Sequence, residues 1–187
     1  MQRYSELEAF LQTERITYER GAVLKEYTTF RLGGPAEFFV QPDHADKLAA
    51  LQKWLSAAGL PVFLLGGGSN LLISDEGFAG VVIHPQFGEE PRILHESSER
   101  LQVYVPASAR APLAGKKISA LGFTGLEFLT TIPGHFGGSV IQNAGCYGHE
   151  LKDSLLSVEL AHAGEVTTLA NSQCAFRYRD SLFKHDS

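Results

Sequence analysis

The glycines of this chain are crowded, and that crowding limits the backbone more than any other feature. Of 19 glycines in 187 residues, three stand in a row at Gly66-Gly67-Gly68, and the stretch Gly134 to Gly148 holds five more. Residues without a Cβ allow tight turns, left-handed backbone and close approach of another group. The first cluster directly follows Val62-Phe63-Leu64-Leu65, an apolar run of strand length read as a buried parallel strand. Ahead of that run, Ala36 to Val40 reads as a strand. A helix opening at Pro42-Asp43 then presents Leu48, Leu51, Leu55 and Ala58 on one face, with Gly59 as its left-handed cap. Strand, helix, strand in that order predicts a βαβ unit.

The remaining punctuation is lighter. Ser5-Glu6-Leu7-Glu8 has the form of a capping box ahead of Leu7, Phe10 and Leu11. Val81-Val82-Ile83 and Leu101 to Val105 read as strands, and Pro112 to Leu121 as a helix stopped by Gly122. Leu156 to Ala161 and Val166 to Leu169 form a hairpin about Gly164-Glu165. Residues 122 to 150 show little periodicity. No linker is visible, and residues 1–80 and 81–187 are expected to be two lobes.

Composition excludes several classes. Sixteen Lys+Arg against 21 Asp+Glu give a net charge of -5, and the charges are dispersed, which is wrong for a nucleic-acid surface. No apolar run approaches the roughly 20 residues that cross a bilayer. The polar start Met1-Gln2-Arg3-Tyr4-Ser5-Glu6 is not a signal peptide. The two cysteines, Cys146 and Cys174, make neither a metal spacing nor a disulfide framework, and the histidines lack ligand spacing. The expectation is a soluble, cytoplasmic monomer without nucleic-acid or membrane partners and without a metal.

Gly66-Gly67-Gly68-Ser69-Asn70-Leu71 can turn successive N–H groups to one side, which suits a phosphate or diphosphate. Its spacing is neither of the two common nucleotide-loop patterns, and a plain tight turn is the other reading. The second cluster, Ile132-Pro133-Gly134-His135-Phe136-Gly137-Gly138-Ser139-Val140-Ile141-Gln142-Asn143-Ala144-Gly145-Cys146-Tyr147-Gly148, is too apolar for a solvated loop. It reads as a ligand-lining segment or as a buried irregular connection.

These two clusters, preceded by Thr28-Thr29-Phe30-Arg31-Leu32-Gly33-Gly34-Pro35-Ala36, separated by Gly125-Leu126-Glu127, and followed by Phe176-Arg177-Tyr178-Arg179-Asp180-Ser181-Leu182-Phe183-Lys184, resemble in order the motifs of the UDP-N-acetylenolpyruvoylglucosamine reductase (MurB) family. The resemblance spans roughly residues 25 to 185 and implies an α+β FAD-binding fold of the vanillyl-alcohol-oxidase (PCMH) type, two lobes with the flavin between them. It implies non-covalent FAD, held at its diphosphate by Gly66, Gly67, Gly68, Ser69, Asn70 and Leu71. Ile132, Pro133 and Gly134 would lie along the ring, with Gly138, Ser139, Ile141 and Gly145 continuing the wall. Members use NADPH to reduce UDP-N-acetylglucosamine enolpyruvate to UDP-N-acetylmuramate for peptidoglycan synthesis.

Arg179 stands at the family's catalytic arginine, where a guanidinium can grip a carboxylate through two parallel hydrogen bonds. Tyr147 and Tyr178 are the implied substrate-pocket neighbours. A surface partner of Asp180 or Asp186 is the other reading of Arg179. For Glu127 a catalytic role is one reading and structural hydrogen bonding near the loop the expected one, and Cys146 is expected to pack as a small thiol. Val105-Pro106-Ala107-Ser108-Ala109-Arg110 departs from the family, with Pro106 and Ser108 in place of glycines, which is expected to alter the local turn or flavin access. The family's serine proton donor and catalytic glutamate belong to a substrate domain that these residues do not include. The resemblance therefore implies an FAD-binding portion not competent alone. Another flavin oxidoreductase of the same fold, or a non-catalytic flavin-binding module, are the alternatives.

Overall fold

The computed structural model describes residues 2–88 and 90–185. The chain divides into two compact units: Met1–Phe87 with Ala161–Thr167, and Gly88–Leu160 with Thr168–Ser187.

In the first unit, α1 (Gln2–Thr13), β1 (Thr17–Arg20), β2 (Ala36–Gln41), α2 (Ala45–Ala58), β3 (Val62–Leu64) and β4 (Phe78–Ile83) build a sheet of order β1-β2-β4-β3. β1 is antiparallel to β2, whereas β4 runs parallel to both β2 and β3. The period of two sends Phe38, Val40, Val81 and Ile83 to the face covered by Leu7, Leu11, Leu48, Leu51 and Leu55 of the two helices. Phe39 and Val82 point the other way and meet Ala22, Leu24, Ala36 and Leu65. β2 and β4 are thus buried on both faces, as parallel strands at a sheet centre must be.

Three expectations change. The strand-helix-strand unit exists, but β4 inserts between β2 and β3, so β3 is the sheet edge. Val62 and Leu64 are consequently 44% and 46% exposed, and only Leu65 is fully buried. α1 already runs from Gln2, because the Tyr4 ring stacks on Phe38 at 5.3 Å and extends the packed face past Ser5, which lies inside the helix rather than capping it. The first unit reaches Phe87 rather than residue 80, since a cut there would split β4 and remove Val81–Ile83 from the strands on either side. Gly59 ends α2 in left-handed backbone, φ 60° and ψ 37°, as its position foretold.

The second unit holds the hairpin β5 (Arg92–Glu96) and β6 (Leu101–Tyr104), helix α3 (Ala111–Ser119), a 3-10 turn at Glu127–Thr131, the short helix α4 (Phe136–Ile141) and the two-residue pair β7 (Gly145–Cys146) and β8 (His149–Glu150). β9 (Ser157–His162) and β10 (Glu165–Ala170) form the expected hairpin, turned by Ala163 and Gly164, both at positive φ. β5 escapes the sequence pattern because all its residues are exposed. The core of this unit is Ala109, Phe128, Leu129, Phe136, Val140 and Leu151. The aperiodic stretch 122–150 therefore contains the centre of a core, built from turns rather than long elements. Among the described residues no helix is long and apolar enough to cross a membrane.

Candidate functional site

The glycine loop hangs from the sheet of the first unit. Leu65 donates its N–H to the Ile83 carbonyl at 2.8 Å, and the chain then leaves the sheet through Gly66, Gly67 and Gly68. Gly68 has φ 62°, and a Cβ there would stand 1.9 Å from the Tyr27 carbonyl oxygen. Thr29 in turn donates to the Gly68 carbonyl at 3.1 Å. Only glycine fits that crossing. The segment 28–36 is thus a spatial neighbour of the loop, and it is itself packed backbone to backbone: Gly34 donates to the Ser74 carbonyl at 2.8 Å, with its Cβ position 2.0 Å from the Asp75 oxygen.

Held this way, the loop keeps its donors open. Among the described residues the N–H groups of Gly66, Gly67 and Gly68 have no backbone acceptor. Ser69 is half-buried, Asn70 is exposed, and Leu71 packs against the second face of the sheet, so Leu71 serves as an anchor of the loop. An undecorated row of amide donors with no acidic side chain suits an anion.

One residue beside this loop carried no signal in the sequence. His84 follows β4, is 8% exposed, and faces Tyr27 and Phe39 at 5.5 and 5.4 Å. Its Nδ1 lies 3.0 Å from the carbonyl of Leu65, the residue before the loop. Burial pushes its pKa below the ordinary imidazole value, against the smaller opposing effect of that hydrogen bond.

The second cluster folds within the second unit. The Gly134 carbonyl, on a residue with φ 104°, accepts the Ala111 N–H at 2.9 Å, and Phe136 and Gly137 donate to the Ala109 and Ala107 carbonyls, each at 2.8 Å. The stretch 105–110 makes a turn that contains Pro106 and Ser108. Ala109 donates to the Pro106 carbonyl at 3.0 Å, and the Ser108 hydroxyl donates to the Gly88 carbonyl at 2.7 Å. Proline has no N–H to leave unpaired there, and the serine hydroxyl finds an acceptor.

Ile132 is half-buried against the core and Pro133 is exposed. Gly138 faces open space, with nothing within 4 Å of its Cβ position. Ser139 is buried, its hydroxyl 3.3 Å from the His135 carbonyl, and Ile141 is half-buried. At Gly145 a Cβ would lie 2.4 Å from the His149 oxygen, so that glycine is required by the β7–β8 pairing itself. Tyr147 and Gly148 make the turn of this pair, φ 55° and 83°, and leave the Tyr147 ring 83% exposed.

Arg179 sits on a turn closed by Arg177 and Asp180, whose backbones exchange hydrogen bonds of 3.0 and 3.1 Å. Its φ is 52°, and its side chain is exposed beside Tyr178, itself 81% exposed. The Asp180 carboxylate is taken by His185 at 3.0 Å and Lys184 at 3.9 Å, which holds its pKa below the usual carboxylate range, the His185 hydrogen bond being the largest cause. Arg179 therefore has no carboxylate partner among the described residues, and Asp186 lies outside them. Glu127 accepts the Gly125 N–H at 2.7 Å, and backbone donors, its own N–H first, lower its pKa: a loop-fastening carboxylate. The Cys146 thiol packs against the Phe128 carbonyl and Thr131 hydroxyl, both at 3.4 Å.

Comparison with known proteins bears directly on both segments. Residues 36–170 match the family described as FAD binding domain. The chain is 34% identical over 172 residues to the UDP-N-acetylenolpyruvoylglucosamine reductase of Chloroflexus aggregans, covering 90% of this chain and 57% of that protein. It is 38% identical over 174 residues to the reductase of the same name from Phenylobacterium zucineum, again covering 90% and 57%. The crystal structure of UDP-N-acetylenolpyruvylglucosamine reductase from Thermus caldophilus superposes with a TM-score of 0.70 at 33% identity, over 89% of this chain and 57% of that one. Glucooligosaccharide oxidase from Acremonium strictum, at 14% identity and a TM-score of 0.57 over 90% of this chain and 37% of that one, shares the fold alone. The chain spans little more than half the length of the curated relatives it matches.

Proposed function

The chain belongs to the FAD binding domain family, with an α+β FAD-binding fold of the vanillyl-alcohol-oxidase type, and from that membership we propose that it is the FAD-binding portion of a UDP-N-acetylenolpyruvoylglucosamine reductase. The proposed reaction is the NADPH-driven reduction of UDP-N-acetylglucosamine enolpyruvate to UDP-N-acetylmuramate in peptidoglycan synthesis. The observation that carries the reading is the glycine loop, whose three N–H groups stay without backbone acceptors while Gly68 is wedged against Tyr27 and Thr28.

The residues present fit FAD. Gly66, Gly67 and Gly68 would hold its diphosphate through their N–H groups, with Ser69 and Asn70 as flanking polar groups and Leu71 securing the loop. Ile132, Pro133 and Gly134 would lie along the ring, and the open surface at Gly138 would admit the wall of the cofactor. Ser139, Ile141 and Gly145 would support that wall, Ser139 and Gly145 through internal hydrogen bonding and packing rather than contact. Bound FAD supplies the redox chemistry between NADPH and the enolpyruvyl double bond.

Arg179 would receive the substrate carboxylate, which its planar pair of donors matches and which disperses negative charge developing beside the reduced carbon. Exposed Tyr147 and Tyr178 would contact the same ligand. The absorption spectrum of the purified chain tests the cofactor assignment. Visible bands of oxidised flavin, released as intact FAD on denaturation, are expected. Gly67→Asp should strip the flavin while leaving the far-ultraviolet circular dichroism unchanged, because it places an anion beside an anion. Undiminished retention in that variant would refute the diphosphate assignment.

A further inference from the structure

Left-handed backbone is strained for an arginine, and such strain persists only where the surroundings over-determine it. The turn 177–180 is held by the three residues that leave α4. The Ser181 hydroxyl donates to the Ile141 carbonyl at 2.7 Å, Gln142 Nε2 donates to the Arg179 carbonyl at 2.8 Å, and Asn143 Nδ2 donates to the Arg177 carbonyl at 2.9 Å. The contacts run antiparallel, 141 to 181, 142 to 179, 143 to 177, with each single step on one segment matched by two on the other. Lys184 Nζ is the second donor to the Arg179 carbonyl, also at 2.8 Å. Asn143, 1% exposed, is itself fixed by the Lys152 N–H on its Oδ1 at 3.1 Å.

We infer that Gln142 is a positioning residue for Arg179: its amide, set in register by Asn143, holds the turn so that the guanidinium stands ready for a carboxylate ligand. The inference rests on the function proposed above for the identity of that ligand, while the register of the two segments stands independently of it. A side chain that must donate two parallel hydrogen bonds gains from being oriented before the ligand arrives. Without the amide, the Arg179 carbonyl keeps one flexible lysine donor, and the strained φ of 52° loses its half-buried restraint. The arginine then relaxes toward extended backbone and swings its side chain away.

The test uses the FAD-loaded chain joined to the substrate domain of a family member, titrated with UDP-N-acetylglucosamine enolpyruvate and followed by the difference spectrum of the flavin. Gln142→Glu keeps the shape and removes the donor, Gln142→Lys supplies a donor again, and Arg179→Lys removes the fork. Gln142→Glu should weaken binding about tenfold or more, the scale of one lost hydrogen bond to an oriented group. Gln142→Lys should recover most of that loss, with flavin content unchanged throughout. Parent-like binding by Gln142→Glu, or binding by Gln142→Lys as weak as by Gln142→Glu, overturns the positioning role. Loss of the response in Arg179→Lys alongside an intact Gln142→Glu overturns that role alone. A chain without flavin, without a spectral response, or with parent-like binding in Arg179→Lys overturns the underlying reading, and the inference with it.

Discussion

The imidazole of His84 donates through Nδ1 to the carbonyl of Leu65, 3.0 Å away, because a carbonyl oxygen can only accept. With the Leu65 N–H on the Ile83 carbonyl, that bond ties the end of β4 to the residue from which the glycine loop departs. The ring is 8% exposed and its pKa is lowered by burial, so the folded state favours the neutral imidazole. The stability this contributes is complete above the ordinary value of 6.5 and is lost as the pH falls below it through the folded pKa. The melting temperature of the chain should therefore decline as the pH falls below 6.5, and His84→Phe should reduce that slope. Equal slopes in parent and variant would show that His84 does not carry the dependence.

Gly68 and Gly138 should separate sharply although both are glycines of the candidate site. Gly68→Ala forces a Cβ to within 1.9 Å of the Tyr27 oxygen at φ 62°, and should cost about 3 kcal/mol or more. Gly138→Ala fills open space inside a helix and should be neutral or stabilise by up to about 1 kcal/mol. Urea denaturation of the two variants measures the contrast; comparable losses would contradict it.

Asn143→Asp keeps an acceptor for the Lys152 N–H but turns a second carboxylate oxygen toward the Arg177 carbonyl, where a donor stood. At a site 1% exposed, the expected cost is about 2–4 kcal/mol at neutral pH. The check is the urea midpoint at constant slope, and a shift below the error of the measurement would mean that the amide is replaceable.

Arg179→Gly makes the opposite test. Glycine adopts φ 52° without strain and gives up an exposed side chain with no ion partner among the described residues, so stability should fall by less than about 0.5 kcal/mol. Binding of the enolpyruvyl ligand should be lost in the same variant. A large stability loss with binding retained would make the arginine structural.

Much of this was legible in the sequence because it depends on neighbours along the chain. Leu48, Leu51 and Leu55 declared the buried face of α2 by their spacing, Gly59 its left-handed end, and Gly164 the turn of β9 and β10. The glycine run 66–68 declared a loop without side chains, since only composition is needed to know that no Cβ can obstruct its N–H groups. What required the tertiary structure was every property set by a residue distant in sequence. β3 became an edge because β4, formed later in the chain, paired between it and β2. Gly145 packs its backbone against the His149 carbonyl, and the Ser108 hydroxyl reaches the Gly88 carbonyl, 20 residues earlier in the chain. Gln142 and Asn143 had no pattern to announce them. Their amides matter through the carbonyls of Arg179 and Arg177, which lie 37 and 34 residues further along the chain and come within hydrogen-bond reach only once the second unit has folded.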